Sequence, residues 1–591
     1  MAERVDVCIV GSGFGGSISA FRLAELYEAA GVDPARILVL ERGRRFKHTD
    51  FRQSMHIGNL SEVYNLIQSS GGPGVLLASG PQGCQIVTAQ GVGGGSNLYL
   101  AASIRSPAET FERRDHHPDD GPDRRMWPEQ ISRRTLNPFY ERAERGLRVN
   151  RPGWDRVSKS GGLWAATLNA AGHTCDRVPL AIDPHRCVEA KWCHTGCIFG
   201  AKNTLTTNYL ASAERMGVRV RPNRQVDSVR RSQANASGYR YVVTADAMDN
   251  LGESPSRQPT GQSEEIECKV LIMSAGAMGN SPILMRSKPN LPSLSERLGK
   301  HLGSNGDHVA AVEYNPAKVR SILGLPGYGQ FYKGKPITTM TYDFWVGRRE
   351  HRYDGSRFTL QEIFLSSLTN FLYDDGRDPS GEPSWWGLQK KQAIASWANR
   401  IELLAMVEDT HDGYFEAPPP KGGAVQPNAG PVRIGVFSYR LSEQSIRVRE
   451  LADKAMKQVA ERSGLGKFLK FTESRGVYCA HPLGGCRMAG SKDFGVVDHR
   501  CEAYDNEGLF CIDSSAIPSS LGVNPSLTIA AVAERAADAL TARGHELGLP
   551  KRPKGFSHGR PGVHVGERVV AKPRRQGRRR RSYGLSDEHR K

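Results

Sequence analysis

The sequence predicts an α/β domain assembled from discontinuous segments, joined to an α+β domain built on an antiparallel sheet. Three observations predict it. Short, β-branched apolar runs of the buried parallel kind stand near the start, the middle and the end of the chain. A glycine-rich turn separates the first of them from a helical pattern. The stretch from about 310 to 475 instead mixes aromatic, β-branched and polar residues, as a half-covered sheet with helices on one side would.

Val5–Val10 (VDVCIV) is the first buried strand. The span Gly16–Ala29 follows as a helix, with Ile18, Phe21, Leu26 and Ala29 on one stripe, and Ile37–Leu40 (ILVL) is the second strand. Strand, helix and strand in about 40 residues make a βαβ unit. Residues 227–270 alternate polar and apolar positions and then pass through a segment rich in Ser, Pro, Gly and Gln, a β-hairpin with a flexible tip. Val270–Met273 and Leu509–Ile512 are further buried strands, and Ser526–Ala542 is an Ala-rich helix with Ile529, Val532, Ala533, Ala536 and Leu540 on its apolar stripe. Pro418–Pro420 and Gly422–Gly423 mark a surface loop.

A chain of 591 residues can bury a large core without disulfide or metal staples. No apolar run is long enough to span a bilayer, and the N-terminus leads straight into a strand with no secretory pattern, so a cytoplasmic location is expected. The net charge of +18 invites a nucleic-acid reading, but residues 551–591 carry fourteen Lys/Arg against three acidic residues. More than half of the charge therefore lies in a basic tail, 549–591, poor in apolar residues and expected to be disordered. It is read as a solvating segment, with peripheral contact to an anionic membrane as the alternative and no specific nucleic acid.

Gly11-Ser-Gly13-Phe-Gly15-Gly16 fills the G-x-G-x-x-G pattern with Gly11, Gly13 and Gly16, in the strand–turn–helix setting that gives the motif meaning. The glycines permit a tight turn, backbone approach to a pyrophosphate and close helix packing, and the helix N-terminus attracts the anion. Glu41 ends the second strand, where a carboxylate can accept ribose hydroxyls. A second glycine-rich loop, Gly91 to Asn97 (GVGGGSN), has no use in a binder of NAD alone. It suits a flavin dinucleotide, wrapped along its pyrophosphate and ring, so the cofactor expected is FAD.

With these motifs in place the chain resembles the glucose–methanol–choline family of FAD oxidoreductases, and within it the bacterial cholesterol oxidases. The motifs occur in family order: VGSGFGG at 10–16, GVGGGS at 91–96, GAKNTLTTNYL at 200–210, SAGAMGNSPILM at 274–285, HPLGGC at 481–486 and DSSAIPSSLGVNPSLTIAAVAER at 513–535. The narrower resemblance rests on LGKHLGSNGD at 298–307, FTLQEIFL at 358–365 and the spacing of the C-terminal half. It implies a Rossmann-like FAD-binding domain made of residues 1–45, 85–130, 190–310 and 475–548. A substrate domain of 46–84, 131–189 and 311–474 would roof the substrate cavity with a six-stranded antiparallel sheet. By position, Phe14, Gly15, Glu41, Gly94, Gly95, Ser96, Val226, Gly276, Asp513, Ser514 and Asn524 fall where the family touches FAD.

The resemblance also implies chemistry. An alcohol C–H is held against the flavin while a base takes the hydroxyl proton. His481 is the expected base or hydrogen-bond partner of the substrate oxygen, a role that suits histidine as a residue type. Asn524 is the expected amide donor. Glu362 stands at the position of the acid that moves the steroid double bond in cholesterol oxidases, with a pKa raised by an apolar cavity. Two positions depart from the pattern: Tyr99-Leu100 replace an Asn-Gly, and Ser526 replaces a Phe. They leave open the electron acceptor, O2 or another, and the substrate. The readings carried forward are oxidation of a bulky hydrophobic alcohol, cholesterol oxidase-like, and dehydrogenation of a non-sterol alcohol with a quinone or protein acceptor. A nucleic-acid or membrane-surface binder working through the basic tail is the alternative from another class.

Cys187, Cys193 and Cys197 form a short-spaced cluster. Free loop thiols are expected, with an iron–sulfur centre or zinc as the open alternatives.

Overall fold

The computed structural model describes residues 2–51, 64–68, 84–115, 124–233, 238–249, 259–324, 334–346, 357–363, 397–416, 437–470 and 477–562. The strands β1 (Glu3–Val10), β2 (Ile37–Leu40), β3 (Arg219–Arg221), β4 (Arg224–Arg231), β5 (Tyr241–Met248) and β6 (Pro259–Met273) form the first sheet, in the order β3-β2-β1-β6-β5-β4. The strand Leu509–Cys511 joins as a seventh, parallel to β6. The strands β3, β2, β1 and β6 are mutually parallel, whereas β6, β5 and β4 run antiparallel as the expected hairpin and its neighbour. The parallel strands are the continuous apolar runs of the sequence, and every residue of β2 is buried. Most of the segment joining β5 to β6, expected as a flexible tip, lies outside the described residues, as do Pro418–Pro420 and Gly422–Gly423.

Five helices matter here: α1 (Phe14–Ala29), α2 (Arg133–Leu147), α3 (Lys159–Ala170), α4 (Glu443–Ser463) and α5 (Ser526–Arg543). The helices α1 and α5 pack together through a fully buried ion pair, Arg22 Nε and Nη2 each 2.7 Å from Glu534, whose Oε1 also accepts from Tyr209 Oη at 2.6 Å. A charge pair this deep costs heavily unless every polar atom is matched. Here two hydrogen bonds from one guanidinium and one from a phenol do that.

The second sheet has six strands: β7 (Asp307–Tyr314), β8 (Thr339–Thr341), β9 (Phe358–Ile363), β10 (Arg400–Val407), β11 (Gly466–Lys470) and the short Asp176–Arg177. Its order is β11-β7-β10-β9-β8 followed by Asp176–Arg177, antiparallel throughout. One face packs Ala310, Phe358, Leu360, Leu403 and Ala405 against Trp164 and Leu168 of α3 and Val448 and Met456 of α4. The opposite face places Met340, Ile363, Leu404 and Met406 in the core of the α/β domain.

Three segments depart from the expected partition. The helix α2, placed with the substrate domain, packs on α5 instead, where Tyr140 Oη meets Thr528 Oγ1 at 2.7 Å. The strand β7 begins the antiparallel sheet at Asp307, inside the 190–310 segment placed with the nucleotide-binding domain. Residues 549–562 are not a free tail: His558 is buried between Glu25 (2.8 Å) and Asp538 (3.3 Å), and Arg22 Nη1 donates to Gly559 O at 2.8 Å. Those partners belong to α1 and α5, which sequence composition of the tail does not register. The remainder of the basic segment lies outside the described residues.

Candidate active site

The two glycine-rich loops are stitched to each other through the side chains of Ser12 and Glu41. The Ser12 Oγ donates to Glu41 Oε2 at 2.6 Å and accepts from Gly93 N at 2.9 Å. The other Glu41 oxygen accepts from Gly43 N at 2.9 Å and Gly91 N at 3.4 Å, so this one carboxylate at the end of β2 ties three loops together. Ser96 Oγ donates to Gly93 O and accepts from Leu205 N, which brings in the GAKNTL segment.

The glycines divide into two kinds. A Cβ on Gly15 would lie 1.4 Å from Ile512 O, one on Gly11 2.2 Å from Ser274 O, and one on Gly16 2.0 Å from Gly11 O. These three let backbone pack on backbone. A Cβ on Gly13, Gly95 or Gly276 would meet nothing within 4 Å. Gly13 directly precedes the N-terminus of α1, and open room beside a helix N-terminus fits a pyrophosphate-bearing dinucleotide. Gly94 lies between the two kinds, since its Cβ would come 2.8 Å from Gly13 Cα. Phe14 makes an edge contact with Tyr99, ring centroids 5.7 Å apart. Asp513 accepts from Gly276 N (2.7 Å), Asn280 Nδ2 (2.9 Å) and Ser515 N (2.8 Å), and burial raises its pKa. Ser514 Oγ accepts from Ala277 N at 3.2 Å, and Val226 is buried within β4.

The HPLGG turn is pinned by the loop before β7. Gly303 and Leu483 exchange both backbone hydrogen bonds, and a Cβ on Gly484, which has φ +85°, would lie 1.9 Å from His301 O. That closeness delivers His481 to Asp307: Nδ1 lies 2.7 Å from Asp307 Oδ1, and Ala480 N donates to Oδ2 at 2.8 Å. Asp307 is buried and His481 half-buried. With Nδ1–H donating to a carboxylate, Nε2 is left as the acceptor nitrogen, the arrangement of a general base with an orienting acid. Asn305 of the same loop accepts from Leu521 N (2.7 Å) and donates to Val523 O (3.0 Å), fixing the segment that ends in Asn524. Asn524 is buried, and among the described residues its Oδ1 has no hydrogen-bond partner.

Glu362 does not join this cluster. Asp307 pairs with Met406, and Met406 with Thr359, so these three share a face of the sheet. Glu362 pairs with Leu403, and Leu403 with Ala310, on the other face. There it is fully buried at the N-terminus of α3, accepting from Thr338 N (2.8 Å), Thr338 Oγ1 (2.6 Å), Ser158 Oγ (3.2 Å) and Ser160 Oγ (3.4 Å). Burial pushes its pKa up to about 8. The expected raised pKa is present, but beside the N-terminus of α3 and not in a cavity with His481. The neighbour Gln361 takes the other face, where it pairs with Leu404 and Met340.

The three cluster cysteines carry no disulfide, and among the described residues no group of three or more His, Cys, Asp and Glu side chains is arranged to hold a metal ion. Burial pushes the Cys193 thiol up to about 12. Beside it Lys202, buried and lowered to about 8 by desolvation, donates to Asn97 O, Tyr99 O and Cys193 O at 2.6, 3.1 and 2.6 Å. It clamps the cysteine loop onto the second glycine-rich loop.

Asp307, Gln361 and Lys202 were not singled out by sequence reasoning. Asp307 closes the LGKHLGSNGD motif, and that was the available signal.

Residues 25–303 match the N-terminal and residues 395–533 the C-terminal part of the GMC oxidoreductase family. The chain belongs to that family and is an FAD-dependent oxidoreductase acting on alcohols. It is 28% identical to a cholesterol oxidase of Mycobacterium tuberculosis, over 91% of each chain. It is 24% identical to a long-chain-alcohol oxidase of Arabidopsis thaliana, covering 90% of this chain and 66% of that one. It is 29% identical to the 6'''-hydroxyparomomycin C oxidase of Streptomyces lividus, over 92% of each. The fold is similar to that of an FAD-dependent oxidoreductase from Chaetomium thermophilum (TM-score 0.56, 13% identity, 92% of this chain and 100% of that one). A formate oxidase of Aspergillus oryzae is alike to the same degree (TM-score 0.56, 12% identity, 92% and 99%).

Proposed function

We propose that this chain oxidises the CH–OH group of a bulky, largely apolar alcohol to the carbonyl, with a 3-hydroxysteroid as the leading candidate. The observation that carries the reading is the His481–Asp307 pair at 2.7 Å, on the face of the antiparallel sheet that packs on the α/β domain. Bound FAD supplies the two-electron acceptor for the carbinol hydride. His481 Nε2 takes the hydroxyl proton, and Asp307 holds the ring in the required tautomer and stabilises the imidazolium that forms. Asn524 Nδ2 donates to the substrate oxygen as it gains carbonyl character. The cholesterol oxidase and long-chain-alcohol oxidase relatives support an apolar substrate. Double-bond isomerisation is left out of the proposal, because Glu362 faces α3. Electrons leave to O2 or to another acceptor.

The test is anaerobic bleaching of the flavin against a panel of sterols and long-chain alcohols, followed by admission of air. His481→Ala should retain FAD and lose about 10²–10⁴ in the rate of reduction. Reduction as fast as in the wild type would show that His481 is structural.

A further inference from the structure

Gln361 lies in the middle of the sheet face that carries Asp307 and has no exposed surface. Among the described residues neither its Oε1 nor its Nε2 has a hydrogen-bond partner. Its cross-strand neighbours on that face, Met340 and Leu404, are apolar, and Leu404 is followed in the same row by Val309. The next residue along the strand gives the contrast: Glu362, equally buried, accepts from Thr338, Ser158 and Ser160. The fold supplies partners to the carboxylate that faces the helix and none to the amide that faces the α/β domain. A buried amide with both ends unpaired is costly, and a position that keeps one is poised for a group arriving from outside the chain.

The position sets the geometry. Asp307 and Thr359 lie in one cross-strand row, separated by the β10 strand, and Gln361 is two residues further along β9. At ordinary sheet spacings this places Gln361 on the order of 10 Å from the Asp307–His481 pair. We infer that Gln361 is a specificity-determining residue that binds a second oxygen of the substrate, a hydroxyl or carbonyl on the order of 10 Å from the reacting carbinol. The substrate class is thus narrowed to an elongated apolar alcohol with a polar group at its far end. The inference rests on the alcohol oxidation proposed above.

FAD-loaded wild type, Gln361→Met and Gln361→Leu are reduced anaerobically with two probe pairs. These are cholesterol against dehydroepiandrosterone, which carries a far keto oxygen, and n-decanol against its α,ω-diol. In whichever pair is accepted, the wild type should favour the member with the far oxygen by about 10-fold or more. Both variants should bring that ratio close to one through weaker binding of the favoured member. A ratio that the variants leave unmoved, or a wild type without preference, overturns the inference. A second measurement needs no substrate: the Tm of the FAD-loaded variants. Removing an unpaired buried amide should raise Tm by about 1–2 °C, whereas a fall marks Gln361 as structural and overturns the inference. If no probe bleaches the wild-type flavin, the proposed oxidation of an apolar alcohol fails, and the Tm comparison decides the role of Gln361 by itself.

Discussion

In the glycine-rich loops the surface offered to a ligand is backbone; in the antiparallel sheet it is side chains on one of two faces. At the loops, Gly11, Gly15 and Gly16 are set by contacts that leave no volume for a methyl group, while Gly13, Gly95 and Gly276 border open room. At the sheet, Gln361 and Glu362 are adjacent, both buried, and serve different layers. A site built from backbone tolerates changes of side chain nearby but not a change of glycine. A site built on a strand is governed by parity, and a shift of one residue exchanges the two layers.

The largest expected effect breaks the first half of this comparison. Gly15→Ala should fail to give folded protein, because its methyl group would require Ile512 O to move and β6, α1 and the 509–513 segment to separate. The loss should be about 3 kcal/mol or more, read as absence of soluble protein or a collapsed thermal transition. Gly13→Val should fold with a near-normal transition but purify colourless, since the added side chain occupies only the open room. A yellow Gly13→Val protein would remove that glycine from the cofactor cradle.

A smaller effect sharpens the second half. In the proposed mechanism Asp307 acts on substrate only through His481. Asp307→Asn should therefore keep FAD and the substrate KM while lowering kcat by about 10²-fold or more. Its loss should not add to that of His481→Ala, because residues acting as one unit fail additivity. Additive losses in the double variant would separate Asp307 from the proton transfer.

The same division explains what the sequence could and could not reveal. The βαβ unit is a local pattern that neighbours in sequence build, while the glycine-rich loops and the HPLGG turn are legible as motifs although Gly11, Gly15 and Gly484 are packed against Ser274, Ile512 and His301. The placement of α2 and of 549–562 depends on partners hundreds of residues away, Thr528 for Tyr140 and Glu25 for His558. Asp307 was hidden because an aspartate at the start of a strand carries no signal until the turn at 481–485 is folded against it. Glu362 was misplaced for a different reason. The strand FTLQEI is apolar or uncharged at nearly every position, and every residue of it is buried. An alternating pattern would have revealed which face looks inward. Without one, the choice between Gln361 and Glu362 rests on pairing register, which one sequence does not contain.

The smallest expected effect on activity, and the sharpest on the comparison, belongs to Glu362. Its folded pKa is raised, by burial first, from an ordinary carboxyl value of 4.5 to about 8. Between those values the folded protein holds a proton that the unfolded chain releases. The group therefore contributes its full stability below about pH 4.5, loses it as pH rises through the interval, and has lost it above about pH 8. Glu362→Gln resembles the neutral acid and can keep the hydrogen bonds from Thr338 through its carbonyl oxygen, while Ser160 turns to accept from its amide. Its Tm should vary less with pH across this interval than that of the wild type, and at pH about 8 the variant should be the more stable of the two. Because Glu362 faces α3 and not the His481 side, flavin reduction should change by less than about twofold, within the range of substitutions away from a site. A loss of reduction rate as large as that of Asp307→Asn would mean that Glu362 reaches the substrate after all, and the two faces of the sheet would then no longer mark the division between scaffold and site.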